Sequence, residues 1–170
     1  FNGVSIDLNE LNRQREQVLL DIDRIKEEIY KISGHEFNIA SPKQLGVVLF
    51  EELGIPYPKK KGTTYSTDIE VLTSIKNINP IVDLVIDYRG KTKLYSTYIQ
   101  GMAEALYPDN KVHTIYQQAL TQTGRLSSVE PNLQNIPTRF ELGNRLRNVF
   151  KPEEGKLYID ADYSQIELRV

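Results

Sequence analysis

Apolar or long side chains recur at positions 8, 11, 15, 18, 22, 25, 29 and 32, in alternating steps of three and four. That spacing keeps them on one stripe of an α-helix, a coiled-coil seam interrupted by Arg15. Asp7-Leu8-Asn9-Glu10 has the spacing of a capping box at its start. A second run, Ile81, Val85, Tyr88, Thr92, Tyr95, Ile99, Met102 and Leu106, keeps the same steps after Asn79-Pro80, an N-cap followed by a first-turn proline. Two helices over about 7–33 and 80–107, each ~40 Å long at 1.5 Å per residue, are therefore expected to pack as an antiparallel hairpin. Between them Ser41-Pro42-Lys43-Gln44 starts a short helix ending near Gly54, and Thr67-Asp68-Ile69-Glu70 caps another ending near Asn77. Residues 1–107 thus read as one helical domain, a long hairpin with a two-helix tip.

After Pro108-Asp109-Asn110 the pattern changes. Lys111–Leu120 reads as a strand, residues 125–129 as another, Pro131–Pro137 as a turn-rich segment, and Leu157–Tyr163 as a last strand. The expected fold class is α+β, with residues 108–170 an incomplete antiparallel sheet whose open edge needs cover. In the last run the β period puts Tyr158, Asp160 and Asp162 on one face and Leu157, Ile159 and Ala161 on the other, a buried face backing an acidic one. An unpaired carboxylate at a buried strand end costs several kcal/mol, so Asp162 implies a hydrogen-bonded cap or a metal such as magnesium, which takes one or two carboxylates plus substrate phosphates. From these residues alone both readings stay open.

Net charge is −2, which by itself argues against a nucleic-acid binder. The distribution argues otherwise. Residues 111–152 hold six Lys or Arg against Glu130 and Glu141, whereas 153–170 hold five acids against Lys156 and Arg169. A basic approach surface beside an acidic site suits phosphodiester chemistry, although six basic residues also solvate a loop-rich surface. The loop Pro58–Thr67 carries Lys59, Lys60 and Lys61 with Thr63 and Ser66, a composition able to grip phosphates without reading sequence, or simply to stay in water. The absence of cysteine excludes disulfides and thiolate metal sites and fits a cytoplasmic setting. No apolar run has membrane-spanning length. The chain opens at Phe1 without Met and stops at Val170 just after a helix start near Gln165, so both ends read as cut.

The string DYSQIELR, Asp162 to Arg169, resembles motif A of the bacterial DNA polymerase I family, family A. TGRLSSVEPNLQNIPTR, Thr123 to Arg139, resembles two further signatures of that family, and VHTIYQQALTQTGR from Val112 and NGVSID at 2–7 follow in its order. Gln122 and Asp160 stand where small residues are expected. The resemblance implies a thumb subdomain over 1–107, then the first part of a palm subdomain over 108–170.

It also implies roles. Asp162 would be one of two catalytic carboxylates that hold a magnesium pair, with the Tyr163 carbonyl a helper ligand; the second carboxylate is expected from later chain, and Asp160 is read as structural. Glu167 would close the pocket under the sugar of an incoming deoxynucleoside triphosphate, with Gln165 and Tyr163 beside it and Arg139 near phosphates. Arg125 would enter the minor groove of primer-template DNA, with Gln134, Asn135 and the loop residues Lys59, Lys60, Lys61, Thr63 and Ser66 as further DNA contacts. His35 and His113 have no assigned role.

The expected function is thus a fragment of a template-directed DNA polymerase, inactive by itself for want of the second carboxylate. The alternatives are a DNA-binding module without chemistry, or a dimerisation element that self-associates through the hairpin or an open sheet edge. The identities of Gln165 and Glu167 argue against a single-subunit RNA polymerase.

Overall fold

The computed structural model describes residues 2–58, 64–136 and 145–165. It is an α+β fold of two compact units, one formed by Asn12–Gly101 and the other by Phe1–Leu11 with Met102–Val170.

The unit Asn12–Gly101 is helical. Helix α1 runs over Leu8–Ser33, its first residues belonging to the other unit. Asp7 Oδ1 accepts from the amides of Asn9 and Glu10 at 3.0 and 3.1 Å, so the capping expected there is formed. Its buried stripe is Leu11, Gln14, Val18, Ile25 and Ile29. Gln14, not Arg15, takes the inward place, because a straight helix advances 3.6 residues per turn and lets the charged side chain rotate into water.

Ser41 caps α2 (Pro42–Val47), its hydroxyl accepting from the Gln44 amide, and a π-helical turn follows at Val48–Glu52. Asp68 caps α3 (Ile69–Ser74) through the Val71 amide at 2.8 Å. Thr67, which the sequence pattern placed in that role, is buried and engaged elsewhere.

Asn79 and Pro80 open α4 (Pro80–Lys93) as expected. A π-helical stretch, Leu94–Gln100, and the short α5 (Gly101–Glu104) then continue the same rod. The second seam departs from its expected register at two places, Lys91 and Leu94 being buried where Thr92 and Tyr95 were expected, and returns to it at Ile99 and Met102 across the π stretch. The step from Leu94 to Ile99 is five residues, the hydrogen-bond spacing of a π-helix.

The core of this unit joins Ile25 and Ile29 of α1 to Leu45, Leu49, Val71, Leu72, Ile81, Val82 and Val85. Each such fully buried side chain contributes about 1.5–3 kcal/mol. Lys91 is buried beside them and meets Asp87 at 3.0 Å and Asp21 of α1 at 3.9 Å.

The other unit carries short antiparallel ladders. Strand β1 (Val4–Ser5) pairs with β2 (Lys111–Val112), and β3 (Ile115–Gln117) pairs with β4 (Ser127–Val129). The strand expected over 111–120 is therefore two strands, broken at His113-Thr114, where the Thr114 hydroxyl turns to the carbonyls of Val129 and Pro131. Ile6 bridges Phe150, extending the β1 ladder on its other side. Gly3, at φ +64°, lies against the His113 ring, which a Cβ would meet at 2.6 Å. Ile6, Leu11, Met102, Val112, Leu146 and Val149 are buried here.

One expectation fails. Leu157–Tyr163 forms no strand, and its supposed inner face is open: Leu157 is 87% and Ile159 92% exposed. A strand is held by a ladder, and no described strand lies alongside this run.

Candidate functional site

In the unit Asn12–Gly101 the candidate contact Ser66 sits on a groove of about 690 Å³ whose lining includes Thr67, Tyr88, Arg89, Thr92, Lys93 and Ser96. The loop leaving the lysines is fixed from several sides. Phe50, Tyr57 and Tyr65 form an aromatic cluster with ring centroids 4.8–5.1 Å apart. Tyr65 packs over Gly46, and the Tyr57 hydroxyl accepts from the Ser66 amide at 3.0 Å. The Ser66 hydroxyl donates to Asp68 Oδ2 at 2.5 Å and accepts from the Asp68 amide.

Arg89 of α4 donates one guanidinium nitrogen to the Thr67 hydroxyl at 3.0 Å and the other to its carbonyl. Burial lowers the Arg89 pKa from the usual arginine value. Thr92 Oγ1 is buried with no hydrogen-bond partner among the described residues. Lys59, Lys60, Lys61 and Thr63 lie outside the described residues.

Sequence reasoning missed Arg89, Lys93 and Ser96. Their signal was present: spaced by four and three, they form a polar stripe beside the apolar seam of α4 and its continuation. With Ser66 and Asp68 they line the groove with hydroxyls, one carboxylate that accepts from the Ser66 hydroxyl, and two cationic side chains, of which Arg89 is engaged with Thr67.

In the unit of 1–11 with 102–170, Arg125 follows a turn in which the Gly124 amide donates to the Thr121 carbonyl at 3.1 Å. The Thr121 hydroxyl donates to the Arg125 carbonyl at 2.7 Å. Gly124, at φ +73°, supplies the left-handed position, and the Arg125 side chain is exposed. Gln134 and Asn135 are exposed too, their amides donating to Asn132 Oδ1 at 3.1 and 3.2 Å. Asn132 thus saturates the turn's own backbone. Ser128, fully buried on β4, supports that turn by accepting from the Leu133 amide at 3.1 Å. The contribution of Ser128 and Asn132 was not legible in the sequence.

Asp160, Asp162, Tyr163 and Gln165 are all exposed, with Gln165 at φ +53°. Glu167 and Arg139 lie outside the described residues. No cluster of three or more His, Cys, Asp or Glu that could hold a metal occurs among the described residues. Asp162 and the Tyr163 carbonyl are hard oxygen donors of the kind magnesium prefers, a cation that takes one or two carboxylates and completes its shell with water or substrate phosphates.

The basic surplus over 111–152 is partly cancelled. Lys111 pairs with Glu153, and Lys151 with Asp7. The Glu153 carboxyl, hydrogen-bonded to Lys111 and then to Lys156, is lowered to about 2. Lys151 holds the Asp7 carboxyl below its usual range. His113 meets Asp109 Oδ2 at 3.0 Å and stacks edge-on against Tyr107. No described helix is long and apolar enough to cross a membrane.

The chain belongs to DNA polymerase family A, whose sequence model matches residues 8–170. It is 51% identical over 170 residues to DNA polymerase I of Bacillus subtilis, covering 99% of this chain and 19% of that protein. It is likewise 51% identical over 173 residues to DNA polymerase I of Bacillus caldotenax, covering 100% of this chain and 20% of that protein. Among solved structures it is similar to the POL domain of Pol1 from M. smegmatis in complex with DNA primer-template and dNTP. That match has a TM-score of 0.85 and 41% identity, and covers 98% of this chain and 30% of that one. The chain thus spans about a fifth of the length of the curated relatives it matches.

Proposed function

We propose that the chain is the thumb (1–107) and first palm portion (108–170) of a template-directed DNA polymerase, one that extends a primer with deoxynucleoside triphosphates. The observation that carries this reading is a family match running from residue 8 to residue 170, through the Asp162 motif and the Thr123–Arg139 block. The complex of the M. smegmatis relative with primer-template and dNTP supports DNA and nucleotide as the partners.

The unit Asn12–Gly101 contributes sequence-independent grip on duplex DNA. Lys93 and Ser66 at the groove, whose wall Arg89 braces through Thr67, act on phosphates with Lys59, Lys60, Lys61 and Thr63. Arg125 reads the minor groove, where a planar guanidinium can meet acceptors shared by all correct base pairs, and Gln134 and Asn135, in the Asn132 turn after β4, are further DNA contacts. Asp162 and the Tyr163 carbonyl supply part of a magnesium site; the metal, when bound, stabilises charge developing on the transferred phosphate. Gln165, Glu167 and Arg139 serve the incoming nucleotide.

The test is Asp162→Ala in the complete polymerase carrying this segment. Primer extension should be lost with primer-template affinity unchanged; extension at the wild-type rate would refute the assignment.

A second reading, self-association, is favoured by the exposed and unladdered Leu157–Tyr163 run. A solution mass that rises with concentration would support it.

A further inference from the structure

Strand β4 buries a hydroxyl on the face where an alternating strand ordinarily buries an apolar side chain. Ser127 and Val129 are half-buried, and Ser128 between them is fully buried. A buried hydroxyl is costly unless it is hydrogen-bonded, and this one uses its whole capacity of one donor and two acceptor sites. It donates to Asn132 Oδ1 at 3.2 Å and accepts from the amides of Leu133 at 3.1 Å and Gln134 at 3.3 Å. Asn132 Oδ1 accepts in turn from the amides of Gln134 and Asn135 at 3.1 and 3.2 Å. The Gln134 backbone is thus held by two oxygens, one of them seated in the strand. At the start of the turn the Thr114 hydroxyl is shared between the carbonyls of Val129 at 3.0 Å and Pro131 at 2.7 Å. Thr114 directly precedes β3, whose pairing with β4 sets Tyr116 opposite Ser128.

We propose that Ser128 is a positioning residue for Gln134 and Asn135: its hydroxyl ties the turn that carries them to β4 and so sets where their side chains meet the minor groove of DNA. This rests on the reading of Gln134 and Asn135 as DNA contacts given above.

The argument is one of attachment. Gln134 and Asn135 are exposed, and every loose group that must be ordered on binding lowers affinity, so their side chains act best from a fixed backbone. The Asn132 carboxamide, within the turn itself, gives it its local shape. Ser128 and Thr114 fasten it to the β3–β4 ladder, one at each end.

The test uses the complete polymerase carrying this segment. Primer-template affinity is measured on ordinary duplexes and on duplexes in which one purine near the primer terminus is replaced by its 3-deaza analogue, so that the N3 acceptor in the minor groove becomes C–H. Loss of one hydrogen bond should weaken binding by about two- to tenfold at the positions that Gln134 or Asn135 touches. The double variant Gln134→Ala with Asn135→Ala identifies those positions by abolishing the penalty there. Ser128→Ala keeps both side chains, yet it should also bring that penalty close to none, while leaving the penalty at positions that only Arg125→Ala abolishes. Thr114→Val, which removes the hydroxyl at the other end of the turn, should act in the same direction; it takes the place of Ser128→Ala if a thermal melt shows the latter unfolded at the assay temperature. A merely structural serine would lower affinity for ordinary and analogue duplexes alike. An unchanged ratio of the two affinities in Ser128→Ala, with the ratio abolished in the double variant, overturns the positioning role and leaves the DNA-contact reading standing. A ratio that the double variant leaves unchanged at every position refutes that reading and the proposal with it.

Discussion

Arg89 and Thr67 are joined twice across 22 residues of sequence, by the hydroxyl at 3.0 Å and by the carbonyl. The helix α4 thereby holds the return of the loop that carries Lys59, Lys60 and Lys61. Arg89→Ala removes both bonds and should destabilise the chain by about 1–3 kcal/mol, the usual range when a charged hydrogen-bond donor is lost. Arg89→Lys should recover little of it, because an ammonium cannot reproduce the fork. Urea unfolding of the three proteins checks this.

Gly46 is a tighter constraint than its place in a helix suggests. A Cβ there would stand 2.9 Å from the Tyr65 Cβ, so Gly46→Ala should cost about 1–3 kcal/mol by overpacking, despite the better helix propensity of alanine. Leu49→Ala, which opens a cavity at a fully buried site, should cost about 2–5 kcal/mol. Thermal unfolding of both variants measures the difference.

Two sets of ion pairs give opposite pH signatures. His35 Nε2 lies 2.7 Å from Glu52 and its folded pKa is raised, chiefly by that hydrogen bond. Its contribution is fully present below the unfolded value of about 6.5 and is lost as pH rises through the raised value. The stability advantage of the parent over His35→Gln should therefore shrink as pH rises above about 6.5. Glu153, lowered from 4.5 to about 2, behaves conversely: its contribution is present above 4.5 and is lost as pH falls toward 2. The advantage over Glu153→Gln should fade across that acid window in denaturant titrations.

The helical part of the chain was largely legible because its signals are local. Asp7, Ser41 and Asn79 cap where their spacing says they should. The second seam was legible at Ile81, Val85, Ile99 and Met102 but not between them, where Lys91 and Leu94 are buried in place of Thr92 and Tyr95 and a π-helical stretch carries the stripe on to Ile99. The Leu157–Tyr163 run had every local mark of a strand, yet alternation describes only what a strand would bury; a ladder partner is a tertiary matter. Identity of the acidic motif could be read from its string, whereas Arg89 and Lys93 became candidates only when α4 was placed beside Ser66.

Replacing Lys59, Lys60 and Lys61 together by alanine should weaken duplex binding uniformly across DNA sequences. It should also reduce the slope of log affinity against log salt by up to about one per lysine that meets a phosphate. An unchanged slope would place those lysines in water rather than on DNA. Affinities measured at several salt concentrations decide it.

The central claim is that this chain carries a polymerase's grip on primer-template DNA. Fluorescence anisotropy of a labelled primer-template, titrated with the chain at low and moderate salt beside Arg125→Ala and single-stranded DNA, tests it most directly. The account predicts duplex-preferring, salt-sensitive binding that Arg125→Ala weakens; no binding at low salt, or equal binding by the variant and by single strands, would contradict it.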